Sequence, residues 1–290
     1  MIWQQLVNGL AVGAIYSLIA LGFTLVYSVL RIVNMAHGHI YMLGAFFGLT
    51  AAKLLYQNLY LSLALAMVGA AAVGLAVERL TLRPLRQADP YSAFISTLGL
   101  GWALPVVAQM IWGTTMLPYP VGLTPWIWQV GPVTIVFTQV LILAISLVLT
   151  YGLWLVVHKT SIGIAMRATS YSVPISQLMG IDVDRVIPFT FAISAALAGA
   201  AGVLVAVYYD AVFPTMGFVA GLKAFTAAVI GGIGSVPGAV LGGLLLGLIE
   251  GLAAGYLSSG YKDAIAFVIL VIVLLVRPTG LFGRDLVQKM

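Results

Sequence analysis

Three groups of residues in this chain could do chemistry inside an apolar setting. The first is Asn34-Met35-Ala36-His37-Gly38-His39, which follows directly on a long apolar run. The second is Gly231-Gly232-Ile233-Gly234-Ser235-Val236-Pro237-Gly238, which interrupts another. The third is a single carboxylate, Glu250, well inside the apolar run 236–256. A charge there is costly, so it should face a bundle interior or water. Glycine and proline breaks at membrane depth are tolerated where the backbone lines a cavity or is buried in protein. Asn34, His37, Gly38, His39, Gly231, Gly232, Gly234, Gly238 and Glu250 are therefore the candidate residues of a translocation path. The plainer alternatives stay open. Asn34 and His37 can serve only to satisfy a broken helix end. The glycines can mark turns and close helix packing, and Glu250 can be structural.

Several other chemistries have no residues to run them. No G-x-x-x-x-G-K-[ST] occurs, so this chain has no phosphate-cradling loop of that kind. No H-E-x-x-H and no carboxylate–histidine cluster points to a metal. His37 and His39 are two apart, which on a helix turns them to different faces. No G-x-S-x-G supports a serine hydrolase. With no cysteine, disulfides and thiolate metal sites are excluded. No cofactor is expected.

The elements that must position the candidates are membrane helices. The chain is 62% hydrophobic and 7% charged, with mean hydropathy +1.12. A soluble domain of 290 residues needs a charged surface that is missing here. Runs of roughly the length that spans a bilayer cover 4–29, 37–56, 59–78, 93–112, 134–157, 186–209, 236–256 and 262–276. A ninth, short and glycine-rich, lies at 222–233. The expected fold is an all-α, polytopic bundle of eight to nine spans in one domain over 1–290. The opening MIWQQL has no basic segment and does not resemble a cleavable signal peptide.

Charge predicts the sides. Arg31; Arg79, Arg83 and Arg86; Lys159, Arg167 and Arg185; and Arg277, Arg284 and Lys289 fall to the cytosolic side by the positive-inside rule. Lys53, Lys223 and Lys262 remain for the other side, where Trp126, Trp128, Tyr208, Tyr209 and Phe213 form an aromatic belt. Nine crossings then place the N-terminus outside and the C-terminus in the cytosol. The net charge of +5 is spread over separate loops, so nucleic acid is not a partner. Paired breaks in corresponding places point to an inverted repeat: four spans, a linking span at 134–157, and four spans reversed.

The longest polar segment, 158–185, is HKTSIGIAMRATSYSVPISQLMGIDVDR. Its Ile162, Ile164, Met166, Ile175, Leu178, Met179 and Ile181 are apolar, which suits a docked segment better than a free linker. The stretch SIGIAMRATS…QLMGIDVDRV resembles the coupling segment of ABC importer permeases, above all the branched-chain amino acid permeases of the LivH type. NGLAVGAIYSLIALGFTLVYSVLRIVNMAHGHIYMLGAF, AAVIGGIGSVPGAVLGG and LLVRPTGLFG extend the likeness over nearly the whole chain. The resemblance implies uptake of leucine, isoleucine, valine or a related amino acid. It implies a periplasmic solute-binding protein, a second permease subunit (a copy or a paralogue), and two cytosolic ABC ATPases that consume the ATP. It implies an inner-membrane location among lipid and no enzymatic activity in this chain. Gly163, Arg167, Ala168, Gln177, Leu178, Met179, Gly180 and Ile181 would be the ATPase-coupling residues. The family has an acidic residue a few positions after the Arg-Ala pair, where this chain has TSYSVP. A stand-alone secondary transporter would need intramembrane relays, and a membrane enzyme would need a catalytic constellation that is not seen.

Overall fold

A computed structural model describes residues 2–54, 57–86, 88–121 and 126–283. Eleven α-helices make up most of them: α1 (Ile2–Leu30), α2 (His37–Leu54), α3 (Leu59–Val77), α4 (Pro90–Trp112), α5 (Phe137–Lys159), α6 (Ser161–Tyr171), α7 (Val173–Leu178), α8 (Val183–Tyr209), α9 (Met216–Gly231), α10 (Val236–Tyr256) and α11 (Lys262–Val276). A π-helical turn, Glu78–Leu82, extends α3. Six helices are long and apolar enough to cross a bilayer: Ile2–Leu30, Leu59–Leu82, Tyr91–Trp112, Phe137–Lys159, Val183–Tyr209 and Val236–Tyr256. The other three expected crossings are shorter or more polar. Helix α2 carries His37, His39 and Lys53, and α9 has 16 residues. At about 1.5 Å per residue, α9 falls short of a ~30 Å hydrocarbon core.

One expectation is corrected in the segment before α5. Within the all-α bundle, β1 (Ile127–Val130) and β2 (Val133–Val136) form a small antiparallel hairpin, with Trp128 opposite Ile135. Gly131, at φ 61, makes the turn, and the β-branched run Val133-Thr134-Ile135-Val136 takes the strand. The span expected from 134 therefore begins at Phe137. Gln4 of α1 holds the hairpin through Thr134, accepting from its amide at 2.7 Å and donating to its carbonyl at 2.9 Å.

Close backbone approach organises the bundle. Antiparallel α1 and α10 meet along Gly9, Gly13, Gly243 and Gly247, and antiparallel α3 and α8 meet along Ala66, Ala70, Gly74 and Gly199. In a membrane such seams are held by van der Waals contact between small residues. Of the six long helices, α1 and α8 are the most enclosed. They run antiparallel too: the Ser194 hydroxyl donates to the Gly22 carbonyl at 2.8 Å, while Val26 and Val29 pack in one cluster with Ile187 and Phe191.

Helix order also corrects the pairing of the two glycine-rich breaks. The Asn34–His39 break follows α1, and the turn following α8 is 210–215, not 231–238. Each of these turns opens on a residue with left-handed backbone, Arg31 at φ 57 and Asp210 at φ 50. The turn after α8 makes this bend without glycine, so composition does not reveal it. The Gly231–Gly238 break joins α9 to α10.

Basic residues gather at one end of the bundle. There Arg86 bridges Glu78 and Asp184, tying the end of α3 to the start of α8. Helix α6 packs nearby against α1, α5 and α8. Arg284 and Lys289, expected on this side, lie outside the described residues.

Candidate functional site

The first turns of α2 and α9 meet inside the bundle. A glycine on each makes this possible: a Cβ on Gly38 or Gly217 would collide with backbone of the other helix. Asn34 prepares the turn into α2. It is buried, and its Oδ1 accepts from the Ala36 amide at 3.1 Å, while Nδ2 has no partner among the described residues. The Met35 amide donates to Thr97 Oγ1 of α4 at 3.3 Å. His37 turns toward α1, with Nε2 3.3 Å from the Ile19 carbonyl and its ring edge-on to Phe23 at 4.6 Å. Gly22 leaves the space for that ring. His37 and His39 thus face different ways, as their spacing predicts.

His39 turns toward α4 and α9. A Cβ on Gly101 or Gly217 would come within 3.1 Å of its ring. Its Nδ1 is buried without a hydrogen-bond partner among the described residues. It lines a cleft of about 410 Å³, counted with its open mouth, whose other walls include Leu98, Trp102, Phe218, Leu222 and Phe225. A second cleft of about 200 Å³, also counted with its open mouth, shares the Phe23 and Phe225 walls and is otherwise lined by Tyr27, Val33, Ala228 and Ile233. Phe23 and Phe225 border both clefts and meet edge to face at 6.2 Å.

The other candidates are placed elsewhere. Gly231 and Gly238 pack backbone to backbone at the far end of α9. Gly232 lies against Gly283, and the Leu281 and Phe282 amides donate to the Ile230 and Gly231 carbonyls at 2.9 and 3.0 Å. Gly234, at φ 97, has open space around it. Of this segment only Ile233 reaches a cleft.

Glu250 belongs to a buried charge cluster away from both clefts. Lys223 Nζ of α9 lies 2.7 Å from Glu250 Oε1 of α10 and 2.6 Å from Asp263 Oδ1 of α11. The Tyr16 hydroxyl of α1 donates to Glu250 Oε2 at 2.8 Å and accepts from Lys223 at 3.3 Å. Lys262 is 4.0 Å from Glu250. Lys223 is thus not the outer-loop charge that its isolation suggests. It is 4% exposed, in the middle of a helix. The signal was present, since Lys223 sits in the apolar run GLKAFTAAVI, but the span was expected to begin only near residue 222.

A family model described as "Branched-chain amino acid transport system / permease component" matches residues 5–274. This chain belongs to that family. BraD of Pseudomonas aeruginosa, a high-affinity branched-chain amino acid transport system permease protein, is 40% identical over 99% of this chain and 97% of its own length. LivH of Escherichia coli K12, of the same description, is 39% identical over the same shares. A probable LivH permease of Methanocaldococcus jannaschii is 33% identical over 92% of this chain and 88% of its own.

In this permease the segment resembling a coupling loop is two short helices, α6 and α7. Gly163 is pressed against the Val156 and Val157 carbonyls of α5, and Met166 is buried. Ile181 packs partly buried against the main core, and Ala168 is half-buried. Arg167, Gln177 and Gly180 are exposed, the last with φ 81. Tyr171, Ile175, Leu178 and Met179 are exposed too, with Leu178 at 87%. Together they form an exposed apolar group on this basic, polar end.

Proposed function

We propose that this permease carries branched-chain amino acids across the bacterial inner membrane, received from an extracellular or periplasmic solute-binding protein. Two cytosolic ATPases drive it and use the ATP, and a second permease subunit completes the path. The observation that carries this is the pair of clefts along α9, starting where the first turns of α2 and α9 meet. A solute can be passed between such clefts without a deep binding site, and weak binding suits passage. The Lys223–Glu250–Asp263 cluster is internally paired, so it offers no idle relay for an ion gradient.

The basic end is read as cytosolic, with the N-terminus outside, the C-terminus inside and nine crossings. Helices α1–α4 and α8–α11 are read as two inverted units joined through α5. Antiparallel α1 and α8, and matching turns after each, support this. Asn34, Gly38 and His39 are read as path residues, with Ile233 beyond them. Arg167, Gln177, Leu178, Met179 and Gly180 are read as the surface offered to the ATPase.

Uptake of radiolabelled leucine by the permease, reconstituted with its neighbour-encoded binding protein and ATPases, tests the proposal. ATP-dependent uptake is expected in the wild type, and Leu178→Asp is expected to abolish it without loss of membrane insertion. Uptake that persists without any ATPase would overturn the importer. A cysteine replacing Ser172 should resist an impermeant thiol reagent in intact cells, and one replacing Gln57 should react; the reverse would invert the orientation.

A further inference from the structure

The upper cleft has three features that belong together. Its walls are apolar and aromatic: Leu98 and Trp102 from α4, Phe218, Leu222 and Phe225 from α9. Its inner end is formed by the start of two helices. And one buried polar atom, His39 Nδ1, has no partner there among the described residues.

The helix starts are open. Thr215, the N-cap of α9, makes no side-chain bond to the first turn. Among the described residues, the Gly217, Phe218 and Gly38 amides find no backbone acceptor outside their helices. The first N–H groups of a helix are donors awaiting a partner, and the helix dipole adds positive character there. Two such ends converge on Gly38 and Gly217, whose missing side chains let the two backbones touch. Such an arrangement favours an anionic group. His39 can add a donor from Nδ1, whose tautomer is free to adapt because that nitrogen is otherwise unbonded.

We infer that this cleft is a transient seat for the free amino acid. The solute's carboxylate meets the α2 and α9 amides and His39 Nδ1, and its branched side chain lies on Trp102, Phe218 and Leu222. The inference rests on the proposed transport of branched-chain amino acids and adds where, and by which end, the solute is held. The Phe23–Phe225 pair forms the floor. Passage into the second cleft requires these rings to part. Apart from His39, the seat is lined by apolar side chains and glycines, so no acidic side chain meets the solute's ammonium, which stands beside its carboxylate on the same carbon. That incomplete match keeps the hold weak.

Photo-leucine, a diazirine analogue of leucine, tests this in the full reconstituted complex. Irradiation during ATP-driven uptake should label peptides holding 35–39, 98–102 and 217–225. His39→Leu should lower leucine uptake about tenfold, the loss expected for one hydrogen bond to a charged group. His39→Asn, which restores a polar group near Nδ1, should recover a good part of it. Copurification of each variant with its partners shows that it has folded. Should His39→Leu fail to assemble, the labelling pattern alone decides. Label confined to other segments, or wild-type uptake by an assembled His39→Leu complex, would overturn the seat while leaving the transport proposal standing. A wild-type complex that carries a different solute and no branched-chain amino acid would instead remove the proposal on which the seat rests. Label from a photoreactive lipid at 98–102 and 217–225, with none from photo-leucine, would make the cleft a lipid site and overturn the seat as well.

Discussion

Helices α2 and α9 occupy matching places, each beginning after a six-residue turn behind a long buried helix, yet their eighth residues differ as much as residues can. In α2 that residue is Gly44, which lies against the backbone of Gly199. In α9 it is Lys223, which spans to Glu250 and Asp263. The first region is held by close approach of bare backbone, with Gly44, Gly48, Gly74, Gly199 and Gly202 all in tight contact. The second adds charges that must be paired where water is scarce. Backbone contact is short-ranged and permits one geometry. An ion cluster attracts over a longer distance and tolerates exchange of partners. The α2–α3–α8 side rests on close packing along its seams, while the α9–α10–α11 side combines such packing, at Gly231, Gly238 and Gly242, with an ion network.

The largest effect should come from unpairing that network. Lys223→Met leaves the buried Glu250 with only the more distant Lys262, 4.0 Å away, and breaking a buried pair costs about 3–5 kcal/mol. The thermal midpoint in detergent should fall sharply. The double variant Lys223→Met/Glu250→Leu should recover most of the loss, since it removes the stranded charge together with its partner. A double variant less stable than the single would show that the pair is a net source of stability, which would break the comparison.

On the α2–α3–α8 side, Gly44→Ala drives a methyl into the Gly199 backbone and should cost about 1–3 kcal/mol through overpacking. Gly152, on α5, has no neighbour within 4 Å of where an alanine methyl would sit, and should accept alanine with little change. The same thermal measurement compares them. Equal effects at 44 and 152 would mean the seam is looser than its geometry.

The smallest effect should come from the edge of the network. Asp263 is 44% exposed, so Asp263→Asn should cost about 1 kcal/mol or less and be softened by salt. Its interest lies in transport. A loosened α11 should change the rate of leucine uptake more than it changes stability. An uptake rate equal to wild type would show that this contact is static.

Much of this was legible in the chain. The break at Asn34–His39 stood out because asparagine, histidine and glycine are rare together after an apolar run, and Gly38 and His39 of that break line the cleft. Its partner across the cleft was hidden: Gly217 and Gly221 lie in GFVAGLKAF, which looks like any small-residue helix. The Gly231–Gly238 segment looked like a path for the same reasons as the first, but its glycines serve a packed turn closed by 280–283. Glycine content reports that backbone approaches something closely. It does not say whether that is a solute or another helix.

Composition and local pattern by themselves determined that this is a membrane helix bundle, which end collects the basic residues, and which segment carries an exposed apolar surface. These follow from each residue's own transfer energy and from periods along one helix, so they need no knowledge of neighbours. Only the tertiary structure decided that α2 and α9 pack together at their first turns, that His39 rather than His37 faces the cleft, and that Lys223, Glu250, Asp263 and Tyr16 form one cluster. Tyr16 and Asp263 stand near opposite ends of the chain. Their meeting depends on how whole helices pack, through many weak contacts summed along each seam, and no single residue's chemistry carries that sum.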